Sequence, residues 1–462
     1  MKITVIGGGP GGYEAAIYAA KLGAEVVLIE KDKLGGTCLN RGCIPTKAFL
    51  ASAENLDGAK HASDFGINIT GEISADLEAI VARKNKVVEN LVKGIQFLCK
   101  GNNVTVIEGV GTLIDSTHVQ VTKVDQTTEI IETDYVILAT GSVPVTPEMF
   151  KVDGKRVITS DEILDFTTVP QSLIIVGGGV IGCEIGQFMK KMGAEVTIVE
   201  AMPRIMATMD EDATKQLVRQ FKKDKIKMIT GDGIAEVSPQ ETSVSVTLSS
   251  GKTLEAEYVL VSIGRAPNSL GAGLENAGVL TDEKNRVIVN EFLQTNISNI
   301  YAIGDLINSP QLAHVASKEG LVAVDNIFGK AKKASYHAVP ACVFTEPQLA
   351  SVGKLEWQLQ AEGKEAGKDY KTGSFDMKAL GKAQASGHIS GFAKVITDMN
   401  DKIIGAEVVG ANASDMLQVL TTAVQLGLTA AQVEESIFPH PTMCESIMEA
   451  LHDIEGLSIN KV

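Results

Sequence analysis

Short apolar runs that end in glycine alternate with longer amphipathic stretches over most of this 462-residue chain. Lys2–Ile6 reads as a buried parallel strand, followed after a glycine cluster by a helix through Leu22 and a second strand, Glu25–Glu30. Continuous apolar runs of this length suit strands covered by helices on both faces. A Lys-rich helix over Leu77–Cys99 is predicted to lie on the surface, and β segments follow at Val104–Glu108 and His118–Lys123. Val136–Pro144 predicts a strand ending in a turn, with a domain boundary just after it. Val259–Asn268 is its counterpart at the close of the second domain. Asn299–Asp305 is another apolar strand, ahead of a helical segment over Leu312–Phe328. From about Ala334 the pattern turns to alternation, as at Ala393–Thr397 and Ile403–Val409, and then to a helical half over Ser414–Leu451. The expected fold class is α/β, with two Rossmann-like dinucleotide-binding domains plus a C-terminal α+β domain. The first domain is expected to combine 1–144 with 269–334, the second to cover 145–268, and the last 335–462.

The glycine clusters carry the first chemistry. Gly7, Gly9 and Gly12 follow the first strand in the spacing G-x-G-x-x-G, and Glu30 ends the second strand. Glycine at these places lets the backbone turn tightly, approach a pyrophosphate and pack helix on strand, while the acid holds ribose hydroxyls. The unit recurs 170 residues later, with strand Ser172–Val176, glycines Gly177, Gly179 and Gly182, and the acid Glu200. Lys21-Leu-Gly-Ala-Glu-Val aligns without a gap on Lys191-Met-Gly-Ala-Glu-Val. Two complete units imply two bound dinucleotides.

A second feature decides which is which. Cys38 and Cys43 lie five residues apart in Gly35-Gly-Thr-Cys-Leu-Asn-Arg-Gly-Cys-Ile-Pro-Thr-Lys47. On a straight helix such a pair sits roughly 8–9 Å apart, whereas a disulfide needs Cα atoms within ~7 Å. The two can bridge only across a distorted turn, which Asn40, Gly42 and Pro45 permit. A nicotinamide meets disulfides poorly without a mediator, and a flavin can accept hydride and hand electrons to sulfur. The first unit is therefore expected to hold FAD and the second NAD, since Glu200 repels a 2′-phosphate. Arg204 is the one nearby cation that would favour NADP. The net charge of −15 argues against nucleic acid and anionic membranes. Six scattered cysteines fit a reducing compartment better than a disulfide framework. The chain opens directly as a strand, so no leader, membrane segment or fused carrier domain is expected ahead of it, and a cytoplasmic location is expected. No metal site is expected.

Together these segments resemble the pyridine nucleotide–disulfide oxidoreductase family over essentially the full length, and most closely its lipoamide dehydrogenases. The resemblance rests on residues 35–47, Ala-Thr-Gly at 139–141, Gly-Gly-Gly-Val-Ile-Gly-Cys-Glu at 177–184, Ala-Ile-Gly-Asp at 302–305, Leu-Ala-His-Val-Ala-Ser-Lys-Glu-Gly at 312–320 and His-Pro-Thr-Met-Cys-Glu at 440–445. It implies a discontinuous FAD domain, an inserted NAD domain and a C-terminal domain that makes a homodimer. It also implies that Cys38 is the interchange thiol and Cys43 the thiolate against the flavin. Lys47 would sit near the flavin and pair with Glu184, and His440 with Glu445 would be an acid–base pair reaching the dithiol from the other subunit. Gly141, Asp305 and Ala313 would touch FAD, and Gly264 NAD. The implied activity is oxidation of dihydrolipoyl groups on carrier proteins supplied in trans, for 2-oxo acid dehydrogenase or glycine cleavage systems, with a part in redox homeostasis. Phe438 and Pro439 stand where the family often has a further histidine, and Cys444 where a small hydroxyl residue is more usual. Cys99, Cys183 and Cys342 read as structural. The rival readings are an NAD(P)H-dependent reductase of a small disulfide such as glutathione, opposed by Glu200 and Leu312-Ala-His, and a non-catalytic flavoprotein subunit, opposed by the intact cysteine and histidine set.

Overall fold

Strand Lys2–Ile6 lies inside a seven-stranded sheet whose order is 300–302, 135–138, 2–6, 25–30, 104–113, 118–123 and 128–132. It pairs in parallel with both neighbours, Lys2 opposite Glu25 and Ile3 opposite Tyr135. The computed structural model describes residues 1–461, so the expected end of the last domain at Val462 lies outside the described residues. The chain divides into two units, one of Met1–Pro147, Ile158–Thr168 and Ile263–Ala334, the other of Glu148–Val157, Val169–Ser262 and the chain from Ser335.

In the first unit, helix Pro10–Lys21 packs along helix Ala313–Ile327. Their backbones approach closely because both contact points are glycine. A Cβ on Gly11 would stand 2.8 Å from the Ala316 carbonyl oxygen, and one on Gly320 would stand 2.6 Å from that of Gly11. Ser317 donates to Glu14 Oε1 at 2.9 Å and Tyr18 to Asp325 Oδ1 at 2.8 Å, so the two helices run side by side with their N-termini together. Strand Val104–Leu113 continues past its expected end at Glu108. Gly109, which ordinarily signals a stop, sits in the ladder because a Cβ there would come within 2.7 Å of the Thr122 carbonyl oxygen. Helix Leu77–Gly101 begins as expected, capped by Asp76, whose side chain accepts from the Ala79 amide at 3.0 Å. Its predicted Lys-rich surface needs one correction. Lys84 is buried and donates to the Leu164 carbonyl at 2.9 Å and to Asp165 Oδ1 at 2.7 Å.

The second unit opens with the repeated βαβ element. Strands Lys227–Thr230, Glu195–Glu200, Ser172–Val176 and Tyr258–Val261 run parallel in that order. Its later part is an antiparallel sheet of 341–343, 348–353, 403–410, 392–398 and 370–376. The predicted helical half resolves into Ala413–Leu426, Ala430–Glu434 and Glu445–Asp453, the first ended by Gly427 in a left-handed conformation. No helix among the described residues is long and apolar enough to cross a membrane.

A buried ion cluster ties these two parts of the second unit. The Lys394 ammonium meets Asp210 at 2.7 Å, Asp212 at 2.8 Å, Glu356 at 3.1 Å and Glu407 at 3.8 Å. Asp210 accepts from two further donors, the amides of Trp357 at 2.9 Å and Glu356 at 3.3 Å. Burial opposes the charge on Lys394, but the surrounding carboxylates more than offset it and hold its pKa above the usual lysine range. Glu407 is fully buried, and burial pushes its carboxyl up to about 8, with Lys394 pulling the other way. A group whose folded pKa is raised contributes stability that is complete below the ordinary carboxylate range and is lost as pH rises toward the folded value. Glu407→Gln removes that loss. The variant is expected to melt a few degrees higher than wild type above about pH 8, on the order of 1–3 kcal/mol, and to match it near pH 5. Calorimetric melts at the two pH values check this, and equal melting at both would refute it.

Candidate active site

Each glycine fingerprint joins a strand to a helix, and its three glycines have different jobs. Gly7 takes φ +107°, and a Cβ there would lie 2.2 Å from the Ala139 carbonyl oxygen. A Cβ on Gly12 would stand 1.8 Å from the Gly7 carbonyl oxygen, and one on Gly182 would stand 2.0 Å from that of Gly177. The middle glycines face open space. Around Gly179 nothing lies within 4 Å, and near Gly9 only the Gly36 Cα does, at 3.9 Å. Protein packing does not require glycine at these two places. A ligand that lies on the backbone there does, which fits a pyrophosphate at each helix N-terminus. Gly12→Ala is therefore expected to prevent folding of the first unit. Gly9→Ala should fold but bind FAD at least tenfold more weakly. Flavin fluorescence on reconstituting the apoprotein, with circular dichroism as the folding control, separates the two.

The acids repeat as closely as the glycines. Glu30 accepts from the amides of Gly8 at 2.7 Å and Asp32 at 2.8 Å, and Glu200 accepts from those of Gly178 and Met202, both at 2.7 Å. Burial pushes the Glu30 carboxyl up, while the Gly8 amide pulls it back. Arg204 is turned into its own loop, donating to the carbonyls of Met209 at 2.6 Å and Ala207 at 3.0 Å and to the Thr214 hydroxyl at 2.8 Å. It is thus committed locally.

Cys38 lies on the short helix Gly36–Arg41 and Cys43 opens helix Cys43–Lys60. The break between them is at Gly42, where a Cβ would press on the Thr37 carbonyl oxygen at 3.0 Å and the Cys38 Cα at 3.3 Å. This is the distorted turn that the spacing demanded. Asn40 secures it from below, donating to the carbonyls of Leu34 at 3.1 Å and Gly36 at 3.0 Å. Both cysteines are free thiols whose side chains share a hydrogen bond. That bond and burial push the Cys38 thiol far up, and the charge of Lys47, one helical turn past Cys43, pulls the other way.

Asp305 sits in the turn Gly304–Leu306 and accepts from the Ser142 hydroxyl at 2.5 Å. The Gly304 amide donates to the buried Glu319 at 2.6 Å. Gly141, with φ +69° and open space around it, precedes Ser142. Ala313 begins the helix that runs beside Pro10–Lys21, which places a second helix N-terminus next to the first fingerprint. Gly264 falls in the first unit, whereas Gly177, Gly179, Gly182, Glu184 and Glu200 fall in the second. Glu184 is buried and accepts from the Phe344 amide at 2.9 Å. His440 and Glu445 are brought together: His440 Nδ1 donates to Glu445 Oε1 at 2.7 Å, and the Thr442 amide donates to Oε2 at 2.8 Å. With Glu445 at the start of helix Glu445–Asp453 and mostly covered, the imidazole is held by its base while 75% of its side chain stays exposed. Cys99 and Cys183 are buried, and Cys342 and Cys444 half-buried. Sequence reasoning missed Ser142, Arg265 and Glu319. All three lay in stretches with a signal, Ser142 inside Val136–Pro144, Arg265 inside Val259–Asn268 and Glu319 inside the segment 312–320.

The pyridine nucleotide–disulphide oxidoreductase family model matches residues 1–320, and the model of that family's dimerisation domain matches residues 339–451. The chain belongs to this family. As a member it is a flavoprotein disulfide oxidoreductase that binds FAD and NAD, and it carries a dimerisation domain. It is 41% identical to the dihydrolipoyl dehydrogenase of Chlamydia muridarum, over 96% of this chain and 94% of that one. It is 39% identical to that of Bacillus subtilis, over 99% and 98%. Among solved structures, LpdA from Mycobacterium tuberculosis superposes with a TM-score of 0.91 at 30% identity, over 98% of this chain and 99% of that one. The flavoprotein disulfide reductase RclA from Escherichia coli superposes at 0.87 with 26% identity, over 97% and 98%.

Proposed function

We propose that this protein oxidises dihydrolipoyl groups on carrier proteins with NAD⁺, acting as a cytoplasmic homodimer. The carrying observation is the Cys38–Cys43 contact across Gly42, beside a dinucleotide cradle with open space at Gly9. The near-full-length likeness to dihydrolipoyl dehydrogenases supports the substrate class. Gly7, Gly9, Gly12, Glu30, Lys47, Gly141, Asp305 and Ala313 would hold FAD, within 1–144 and 269–334. Gly177, Gly179, Gly182, Glu200 and Gly264 would hold NAD, all of them within 145–268. The region 335–462 would form the subunit interface. Carriers arrive in trans from 2-oxo acid dehydrogenase or glycine cleavage systems.

In the oxidised enzyme Cys38 and Cys43 form a disulfide. One substrate thiolate attacks the Cys38 sulfur, forming a mixed disulfide and releasing Cys43 as thiolate. The second substrate thiolate then closes on the first, breaking the mixed disulfide and releasing Cys38. The substrate dithiol is oxidised by two electrons and the cysteine pair is reduced by two. His440 of the partner subunit takes the substrate proton, and Glu445 fixes which ring nitrogen is free to do so. Such a base is needed because the thiolate, not the thiol, attacks a disulfide, and a substrate thiol is mostly protonated at neutral pH. Lys47 would place a cation beside the reduced centre. Bound FAD supplies the two-electron chemistry that links the cysteine pair to NAD⁺.

The test is steady-state turnover of purified protein, with dihydrolipoamide and NAD⁺ or NADP⁺ in one direction, and lipoamide or glutathione disulfide with NADH in the other. Preference for NAD⁺ and lipoamide is expected, by about a hundredfold or more over each rival. Preference for NADP⁺ or glutathione disulfide would overturn the substrate assignment.

A further inference from the structure

Arg265 belongs to the strand Arg265–Pro267, which pairs antiparallel with Ser142–Pro144. Its guanidinium grips Ser142 twice: Nε donates to the hydroxyl oxygen and Nη2 to the main-chain carbonyl, both at 2.7 Å. With that oxygen already accepting from Arg265, the Ser142 hydroxyl proton goes to Asp305, at 2.5 Å. Ser142 itself is buried, so the arrangement is not an exposed and mobile one. We propose that Arg265 is a positioning residue of the redox centre, which acts through Ser142 to fix Asp305 toward the flavin. The proposal rests on the assignment of Asp305 to FAD.

The surrounding charges support it. Burial draws the Arg265 pKa below the usual arginine range, while Asp305, Asp161 and Cys43 pull it back, and Arg41 acts with burial. Asp161, in turn, is pushed up by burial and pulled back by Arg41 and Arg265. Arg41 reaches Asp161 at 3.8 Å. Arg41 also pairs with Asp32, so this group holds two arginines among three aspartates, and Arg265 is the arginine that grips Ser142. A lysine could supply the charge but not the planar two-point grip on Ser142.

The experiment compares wild type with Arg265→Met, Arg265→Lys and Ser142→Ala. Two readouts are used: the dissociation constant of FAD from the folded apoprotein, and the flavin absorbance spectrum of the FAD-loaded enzyme. Arg265→Met is expected to weaken FAD about tenfold and to shift the flavin bands. Arg265→Lys, which keeps the charge without the two-point grip, should weaken FAD nearly as much. Ser142→Ala, which removes only a hydroxyl, should weaken FAD several-fold. If Arg265→Met does not fold, the Lys and Ala variants decide. Unchanged FAD affinity in Ser142→Ala, or wild-type affinity in Arg265→Lys, overturns the proposal. Failure of the underlying functional reading would look different, because wild type itself would then fail to bind FAD or to turn over lipoamide.

Discussion

Cys43→Ser is expected to lower NAD⁺-dependent oxidation of dihydrolipoamide by on the order of 10⁴-fold or more, while the protein keeps its flavin. Serine at this position cannot form the bond that the substrate thiolate breaks, and no other cysteine in the chain stands in for it. Cys99 and Cys183 are buried, and Cys342 and Cys444 are partly buried against a hydrophobic core. Residues acting as one unit are lost nearly completely when one member goes. Serine is close to cysteine in size, and Glu30 accepts from the Gly8 and Asp32 amides, so flavin content per subunit should stay close to wild type. Absorbance of the purified variant gives that content, and turnover gives the rate. Residual activity above about a hundredth of wild type would mean that electrons reach NAD⁺ by another route.

The second large effect is at His440. His440→Ala should cost about 10²–10⁴-fold in the rate at neutral pH, the usual span for a lost general base. It should also reshape the pH profile. Without the imidazole, turnover should climb as pH rises toward about 8.5 and beyond, since the substrate thiol must then ionise by itself. Glu445→Gln should cost less, about tenfold to a hundredfold, because the ring remains but is no longer held by a carboxylate at 2.7 Å. An unchanged pH profile in His440→Ala would remove the base from the mechanism. A Glu445→Gln variant as damaged as His440→Ala would give the carboxylate a larger part than orientation.

Much of this architecture is legible in the sequence because its signals are local. The strand–glycine–helix units, the terminal acids and the Cys38–Cys43 turn each lie within a few tens of residues. Each rests on a backbone constraint that only certain residues meet. Gly12 and Gly182 are where they are because a carbonyl oxygen occupies the space of a side chain. The helices at Leu77 and Leu312 begin close to their expected starts, because capping and periodicity are read from neighbouring residues. What escaped the sequence depends on partners far away. Lys84 looks like one lysine among several on a solvated helix, and its burial is explained by a carbonyl and a carboxylate about 80 positions later. Lys394 gathers acids from Asp210, Asp212, Glu356 and Glu407, which no spacing rule connects. Ser142 and Arg265 meet across 123 positions. Strand Val104–Leu113 was underread for the opposite reason, since a local rule about glycine was overridden by close contact with a neighbouring strand.

The central claim is that electrons pass from a dithiol through Cys38 and Cys43 to NAD⁺. The most direct measurement mixes oxidised, FAD-loaded enzyme with one equivalent of dihydrolipoamide under anaerobic conditions without NAD⁺, and quenches part of the sample with iodoacetamide. The remainder receives NAD⁺. Label at Cys38, which was absent before mixing, together with release of one equivalent of lipoamide and then formation of one NADH per subunit, is the predicted result. Formation of NADH with Cys38 and Cys43 never becoming accessible to label would contradict the route. So would label at the pair with no NADH on adding NAD⁺.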